Sequence, residues 1–238
     1  MRIRPVPVVR GKPDGFTLIE LLVVVSIVAL LLGIVLPALS GAREAARAAG
    51  CLANHRQVAT IITMYADQND GRTPALGWPW TTTPFWALVV QEEAGRSGEG
   101  PDLYSRRSIL VCPSARRVYG DEIERTLAMN VTGLAGEPGD VANFDVETVS
   151  VRLDRVQFPS DTPMLVDSAA AVFDSNAPPP TRTVGTLDFR NPVHVQDRLG
   201  WYHGGLNKLK GTQFHAAMYD ASAQSHRTVS EDWRRRLP

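Results

Sequence analysis

The sequence is poor in the residues from which catalytic and metal sites are built. It has 2 cysteines and 5 histidines in 238 residues, with no Cys-x-x-Cys pair and no paired histidine spacing of the kind that binds zinc. No serine or cysteine lies in a nucleophile elbow, and no stretch has the spacing of an EF-hand loop. These absences argue against an enzyme and predict no metal site.

Basic side chains are not in excess either. The formal net charge is zero over the whole chain, and it becomes slightly acidic once the basic N-terminal leader is left out. Proteins that bind DNA or RNA neutralise phosphates with clustered lysine and arginine. The composition therefore predicts no nucleic-acid partner.

The two cysteines, Cys51 and Cys112, allow two interpretations. In an extracytoplasmic compartment they would form one disulfide if their Cα atoms came within about 7 Å of each other. Alternatively, both are small buried apolar side chains. The residues alone leave both interpretations open.

One long hydrophobic run organises the chain. From Phe16 to Leu39 the only strongly polar side chain is Glu20, and a helix of this length spans about 36 Å, enough to cross a bilayer core. The basic residues before it are Arg2, Arg4, Arg10 and Lys12. The positive-inside rule therefore predicts a cytoplasmic N-terminus and an extracytoplasmic region after the span.

Two ordinary explanations of this run are incomplete. A secretory signal peptide has an apolar centre of about 7–15 residues before a small-x-small cleavage site, whereas this run is longer and continues into helix-forming sequence. A plain signal anchor leaves Glu20 without a partner unless it lies near the interface, because a carboxylate in hydrocarbon costs about 2.5 kcal/mol or more. Glu20 therefore needs an explanation of its own.

The stretch GFTLIELLVV, which begins at Gly15, resembles the N-terminal signature of type IV prepilins and type II secretion pseudopilins. A basic leader ends in Gly15, an aromatic residue follows, and Glu20 is the fifth residue after the glycine. The resemblance implies that a prepilin peptidase cleaves between Gly15 and Phe16 and methylates the new amine of Phe16. It also implies that Glu20 pairs with the Phe16 amine of a neighbouring subunit when the helices bundle, and a buried carboxylate is tolerable when paired.

The same resemblance implies partners and a location. We expect a single-pass protein of the inner membrane with a periplasmic C-terminal domain, which joins other pilin or pseudopilin subunits in a filament on an inner-membrane assembly platform. Pro37 lies where this family commonly kinks or melts its first helix. No cofactor is predicted; calcium, which some major pseudopilins bind in a C-terminal loop, is the one ion that the resemblance allows.

Beyond Pro37, an alanine-rich pattern predicts that the helix continues to about Asn69. Gly71 then supplies a left-handed cap, and Pro74 prevents the helix from resuming. Small or apolar residues at helical spacing mark one predicted stripe: Ala42, Ala45, Ala49, Leu52, Ala59, Ile62 and Ala66.

The chain therefore divides into three predicted parts. They are a leader at 1–15, a long helix at 16–70 whose residues 16–39 are transmembrane, and an extracytoplasmic globular domain at 71–238. The predicted fold class is α+β, pilin-like, with the long helix packed on a small antiparallel sheet. Residues 85–92 predict a short helix within the domain.

Short apolar runs in the domain predict strands and a hairpin. The predicted strands are 108–115, 126–133, 149–159 and 162–168, the last two adjacent, and the predicted hairpin joins 213–219 to 223–229.

The C-terminal region sharpens the resemblance. The residues AREAAR at 42–47, Cys51, CPS at 112–114 and HGG at 203–205 are similar to a pseudopilin-like family of planctomycete-type bacteria, whose His-Gly-Gly segment leads to Asp-Gly. This chain departs from the family pattern at its end. The gap from His203 to Asp220 is longer, and Ala221 replaces the glycine that a type I′ turn prefers.

Four residues of this region invite a metal or catalytic interpretation: His203, His215, Asp220 and His226. His215 and Asp220 are spaced as the two ends of a hairpin strand, and no nucleophile accompanies them. We therefore predict that they are structural.

The leading hypothesis is a non-enzymatic filament subunit, a pseudopilin or minor pilin that acts in type II secretion, protein transport or a type IV pilus. The alternative is a membrane-anchored binding module that does not polymerise and holds a ligand with its Trp-rich loop, where Trp78, Trp80 and Trp86 cluster, and its Pro-rich loop. Replacing Glu20 separates the two, because only a filament subunit would lose assembly while remaining inserted.

Overall fold

The computed structural model describes residues 16–76, 85–96, 104–134, 150–170, 180–204, 211–235 and 237–238. Contacts divide the chain into two compact units, one that extends to Arg43 and one from Glu44 to Pro238. The predicted leader, Trp78 and Trp80, and most of the Pro-rich loop lie outside the described residues.

Within the described residues, only α1 enters the first unit, and every other helix and strand lies in the second. The α-helices are α1 (Leu18–Gln68), α2 (Trp86–Glu93), α3 (Arg116–Tyr119) and α4 (Pro192–Asp197). The strands are β1 (Leu127–Asn130), β2 (Pro163–Asp167), β3 (Thr186–Leu187), β4 (Phe214–Met218) and β5 (Ala223–His226). Short 3-10 helices cover Leu153–Arg155 and Glu231–Arg234.

The long helix α1 forms over the length that the sequence predicts. It ends where the N–H of Gly71 donates to the carbonyl of Ala66 at 2.9 Å. Gly71 has a φ of 73°, a left-handed conformation that glycine adopts without steric penalty. The helix passes through Pro37 without interruption, and the kink expected there stays a prediction.

The five strands form one mixed sheet in the order β3-β1-β2-β4-β5. The pairs β1–β2, β2–β4 and β4–β5 are antiparallel, whereas β3 runs parallel to β1. The predicted α+β fold is confirmed, and the sheet departs from the antiparallel expectation only in β3. Parallel pairing needs a connection of a dozen or more residues, which the chain between β1 and β3 supplies.

Both faces of the sheet are covered. Leu127, Met129 and Leu165 pack in one cluster with Val58 and Ile62 of α1. The side chains that alternate with them belong to a second cluster on the opposite face, which includes Ala128, Val166, Phe214, Ala216 and Trp233. Successive side chains of a strand point to opposite faces. The central strands are therefore buried on both sides, and the second half of α1 covers one of those sides.

The predicted strand at 108–115 is wrong, because this segment is a series of turns. Pro113 has no amide hydrogen to donate to a neighbouring strand. The N–H of Cys112 donates instead to the Oγ1 of Thr126 at 2.7 Å. Side-chain partners thus take the place of a strand ladder.

The predicted strand at 149–159 is wrong as well. Arg152 forms an isolated bridge with Arg72, and the next residues wind into the 3-10 helix Leu153–Arg155. The strand predicted at 162–168 does form, as β2, but its neighbours are β1 and β4. The expected adjacency of these two segments is therefore also wrong.

The other predicted elements form where expected. The predicted short helix is α2, the strand expected at 126–133 contains β1, and the C-terminal hairpin is β4–β5. The hairpin turn places Ala221 at a φ of 62°, and the N–H of Ser222 donates to the Oδ1 of Asp220 at 2.9 Å. Alanine thus occupies the left-handed position where a glycine would be unstrained.

Candidate functional site

The first turn of α1 carries a capping box built from Thr17 and Glu20. The Oε2 of Glu20 accepts hydrogen bonds at 2.8 Å from both the N–H and the Oγ1 of Thr17. The N–H of Glu20 donates back to the Oγ1 of Thr17 at 3.3 Å. This reciprocal arrangement satisfies N–H groups that the start of a helix leaves without partners. Glu20 therefore has a local role in starting the helix.

The residues around this box are unusually apolar for an exposed surface. Every residue from 16 to 43 is exposed, including Phe16 at 75% and Leu18 at 85%. Soluble monomers rarely expose contiguous apolar patches of more than a few hundred Å². Of the helices in the described part of the chain, α1 alone is long and apolar enough to cross a membrane by length and composition.

The second half of α1 is fastened to the turns at 108–119. The structure joins Cys51 and Cys112 in a disulfide with Cα atoms 4.9 Å apart, which is the first of the two arrangements that the sequence left open. The side-chain amide of Asn54 donates to the carbonyl of Val111 at 3.0 Å. One face of the helix is thus fixed both covalently and by a hydrogen bond.

Glu44 adds a charged contact to the same segment. Its carboxylate accepts from Arg117 at 2.7 Å, from Arg47 at 3.1 Å and from the hydroxyl of Ser114 at 3.1 Å. Partial burial raises the pKa of Glu44, but the hydrogen bonds from Arg117, Ser114 and Arg47 outweigh it and hold the pKa below its ordinary value. Glu44 is therefore ionised at neutral pH.

A cluster of three histidines and one aspartate lies on the face of the sheet that α1 covers. Asp167 ends β2 and shares a face with Leu165, and His215 shares a face of β4 with Ala217. His55 comes from the buried stripe of α1. Two adjacent strands and the covering helix therefore converge on this point.

The third histidine, His203, reaches the cluster through a backbone pair with Gln213, just before β4. The N–H of His203 donates to the carbonyl of Gln213 at 3.0 Å, and the N–H of Gln213 donates back at 2.9 Å. The backbone at Gly211 passes so close to His203 that a Cβ atom on Gly211 would lie 2.5 Å from the backbone N and O of His203. Glycine at position 211 therefore leaves the space in which the His203 backbone lies.

Asp167 is at the centre of the cluster. Its Oδ2 accepts from the backbone N–H of His215 at 2.8 Å and lies 3.1 Å from the Nε2 of His203. Its Oδ1 lies 3.6 Å from the Nε2 of His55. The rings of His203 and His215 stack with centroids 3.6 Å apart. All four side chains are at most 1% exposed.

Several polar atoms of this cluster lack a hydrogen-bond partner among the described residues. They are the Nε2 of His55, the Oδ1 of Asp167, and the Nδ1 atoms of His203 and His215. The Nδ1 of His55 lies 2.9 Å from the carbonyl of Cys51 and must donate, because a carbonyl only accepts. In a neutral His55, the bare Nε2 therefore faces a carboxylate oxygen.

Burial governs the electrostatics of the cluster. Desolvation lowers the pKa of His55, and it lowers the pKa of His215 to about 3. Burial raises the pKa of Asp167, but the three neighbouring imidazoles outweigh it and leave the pKa below its ordinary value. At neutral pH, His215 is therefore neutral and Asp167 is a carboxylate.

The structure brings together only two of the four residues singled out from the C-terminal sequence. His203 and His215 lie in the cluster. Asp220 lies in the hairpin turn, and the His226 ring packs edge-on against Trp233, with centroids 4.7 Å apart.

Sequence reasoning missed His55 and Asp167. His55 follows Cys51 by one helical turn and belongs to the same buried stripe as Val58 and Ile62, a spacing that the sequence displays. Asp167 closes the apolar run of β2, where an acid after a buried strand is a visible signal. The predicted stripe of α1 left out His55. Its members Ala59, Ile62 and Ala66 are buried, whereas Ala42, Ala45 and Ala49 are exposed.

The four side chains of this cluster are buried in the folded unit. The disulfide lies beside the cluster, with the Cys112 Sγ 3.5 Å from the Nε2 of His203. Groups this buried cannot meet a substrate in solution. The arrangement therefore suits a structural core or a bound ion better than turnover of a substrate.

The predicted N-terminal site residues fall at the start of the first unit. Gly15 lies outside the described residues, Phe16 is exposed just before α1, and Glu20 lies in its first turn.

Comparison with known proteins gives one match. Residues 11–36 match the family model of the prokaryotic N-terminal methylation motif. No curated protein and no solved structure matches the chain. The motif supports a type IV pilin-like signature, and together with the single apolar helix it supports a membrane-anchored, single-pass protein. It implies processing by a prepilin peptidase and assembly with other pilin subunits.

Proposed function

We propose that this chain is a non-enzymatic pseudopilin or minor pilin. It is inserted as a precursor with a cytoplasmic N-terminus, cleaved between Gly15 and Phe16, methylated on the Phe16 amine, and assembled through α1 into a filament of a type II secretion or type IV pilus-like system. The inner-membrane assembly platform and a cytoplasmic ATPase would supply the work. The observation that carries the proposal is an exposed apolar helix that begins inside a methylation motif.

The apolar surface of residues 16–39 has two environments in which it is stable. One is lipid, before assembly, and the other is a bundle of the same helices from other subunits, after assembly. Gly33 and Gly41 support the second environment, because a Cβ atom on either would meet nothing within 4 Å. Small residues let helices approach closely in membranes.

Glu20 supplies the polar contact of the proposed bundle. Both hydrogen bonds of the capping box go to its Oε2, which leaves Oε1 for a second donor. The amine of a neighbouring Phe16 is such a donor once cleavage has exposed it. Breaking a buried ion pair by removing one partner costs about 3–5 kcal/mol, so the pair would favour assembled subunits strongly.

Two roles of Glu20, capping the start of α1 and supplying a negative charge, can be tested separately. Glutamine also serves in a capping box, so Glu20→Gln keeps the helix start and removes the charge. Thr17→Ala removes the cap and keeps the charge. We expect Glu20→Gln to insert and be cleaved yet fail to form filaments, as measured by cross-linking along α1 in the envelope. Thr17→Ala should still assemble.

The opposite pattern would overturn the proposal. If Glu20→Gln assembles like the unmodified protein, the charge pair does not drive assembly. If neither the variant nor the unmodified protein forms cross-linked polymers, the chain is a solitary membrane-anchored binding module instead.

A further inference from the structure

The buried cluster beside the disulfide holds ring nitrogens and a carboxylate oxygen that make no hydrogen bond within the described part of the chain. Bare ring nitrogens and the Oδ1 of Asp167 lie together in a site at most 1% exposed. A buried polar group without a partner destabilises a fold. Several in one place indicate that a cation belongs there.

The ligand atoms are close enough for one ion. The Cys51 Sγ and one ring nitrogen from each of His203 and His215 lie within 4.8 Å of one another, and so do the Cys112 Sγ, an Asp167 oxygen and a His203 nitrogen. In tetrahedral zinc sites the bond lengths place neighbouring ligand atoms about 3.3–3.8 Å apart. His203 belongs to both sets, and the disulfide joins Cys51 to Cys112, so both sets lie around the same point.

We propose that the reduced form of the globular unit binds one zinc ion through Cys51, Cys112, His203 and His215. Two thiolates and two imidazoles form a ligand set that zinc prefers. The disulfide and the metal centre are then alternative states of the same buried site. This assignment does not depend on the filament role.

The disulfide state and the zinc-bound state interconvert by thiol–disulfide exchange, in which electrons and protons balance. A dithiol reductant cleaves the bond between Cys51 and Cys112, giving two cysteine thiols and one oxidised reductant disulfide. Zinc then forms two Zn–S bonds and releases two protons. In the other direction, a disulfide oxidant accepts the two electrons, the S–S bond forms again, and the ion is released.

Asp167 and His55 complete the surroundings of the ion. Metal-bound histidines almost always donate their other ring N–H to a carboxylate or carbonyl, and the Oδ2 of Asp167 lies 3.1 Å from the Nε2 of His203. With the thiolates neutralised by zinc, Asp167 remains the one anion of the site, and His55 lies 3.6 Å from its Oδ1. Asp167 therefore positions the His203 ring.

The test uses the full chain in detergent, with cobalt(II) and zinc(II) as probes. After reduction and removal of the reductant under argon, we expect one cobalt per chain, with the visible bands of a tetrahedral site and a thiolate-to-cobalt charge-transfer band. Zinc should displace it. The disulfide form should show neither band, and reoxidation of the zinc-loaded protein should release one zinc for each disulfide formed.

Variants locate the site. His203→Ala and the double variant Cys51→Ser/Cys112→Ser should lose the cobalt spectrum, whereas His226→Ala, which lies outside the cluster, should retain it. The release of zinc on reoxidation requires no variant, so it tests the proposal even if a substitution prevents folding. Failure of the reduced protein to bind cobalt would overturn it, as would equal binding by the disulfide form or an unchanged spectrum in His203→Ala.

Discussion

One helix presents two contrasting surfaces. Residues 18–43 of α1 are exposed on every side and almost entirely apolar. Residues 44–68 are mixed in polarity, and only one stripe of them is buried: Cys51, His55, Val58, Ala59, Ile62 and Ala66. The backbone is helical throughout, so the side chains alone decide what each half must contact.

The contrast concerns where each half of the helix buries its apolar surface. A helix that is apolar on one stripe buries it against its own domain, whereas one that is apolar all round requires lipid or other helices. The second half of α1 buries its apolar stripe against the sheet, and the disulfide and the ion pairs of Glu44 hold it there. The first half leaves this requirement unmet among the described residues, because every residue from 18 to 43 is exposed.

Removing the disulfide should give the largest effect on the globular unit. The bridge closes a loop with a sequence separation of 61 residues, for which chain entropy predicts a loss of about 4 kcal/mol in the double variant Cys51→Ser/Cys112→Ser. Denaturant unfolding in detergent, followed by tryptophan fluorescence, measures it. Membrane insertion should not change, and a loss of insertion would show that the two halves are not independent.

A matched pair of isoleucines tests the comparison directly. Ile62 is fully buried and Ile34 is 67% exposed. Ile62→Ala should lower the free energy of unfolding of the globular unit by about 2–4 kcal/mol through lost burial and a cavity. Ile34→Ala should leave it unchanged in the same assay. Equal effects would mean that the first half of α1 packs on the globular unit.

Acid should unfold the globular unit before it affects the first half of α1, which has no histidine. Burial lowers the pKa of His194 from 6.5 to about 4, so between these values the unfolded chain binds a proton that the folded chain excludes. Stability is therefore complete above pH 6.5 and falls as the pH drops towards 4. Unfolding midpoints at several pH values check this, and His194→Gln should reduce the slope, leaving the part that comes from other buried histidines such as His215, whose pKa burial lowers to about 3. An unchanged slope would place the titrating group elsewhere.

The smallest expected effect is at Glu44. Glu44→Gln removes the charge that accepts from Arg117 and Arg47, pairs that are partly exposed. We expect a loss of about 1 kcal/mol or less in the unfolding assay, which shrinks at high salt. Glu92→Gln at the exposed C-terminal end of α2 is the control and should have no effect. A larger loss that is independent of salt would contradict this account.

The sequence predicted the features that depend on local pattern. The long apolar run, Gly71 as the cap of α1, and the alternating strands of the β4–β5 hairpin all follow from neighbouring residues. Two predicted strands were wrong because the hydrogen-bond partners of these segments lie far away in the sequence. Cys112 donates to Thr126, and Arg152 pairs with Arg72, neither of which is visible in a short window.

The buried cluster was only half predictable, for a similar reason. His203 and His215 stood out as histidines near the C-terminus, but their partners come from α1 and β2. His55 and Asp167 lie 148 and 36 positions before His203 by their numbers, so only the packing of helix on sheet joins them. Sequence patterns report which face a residue occupies, not which residue it meets there.

The most direct test of the proposed function is the intact mass of the mature protein from cells that contain a prepilin peptidase. The account predicts a chain that begins at Phe16 and carries one added methyl group on its amine. A protein that still begins at Met1 in those cells, correctly inserted and stable, would contradict it.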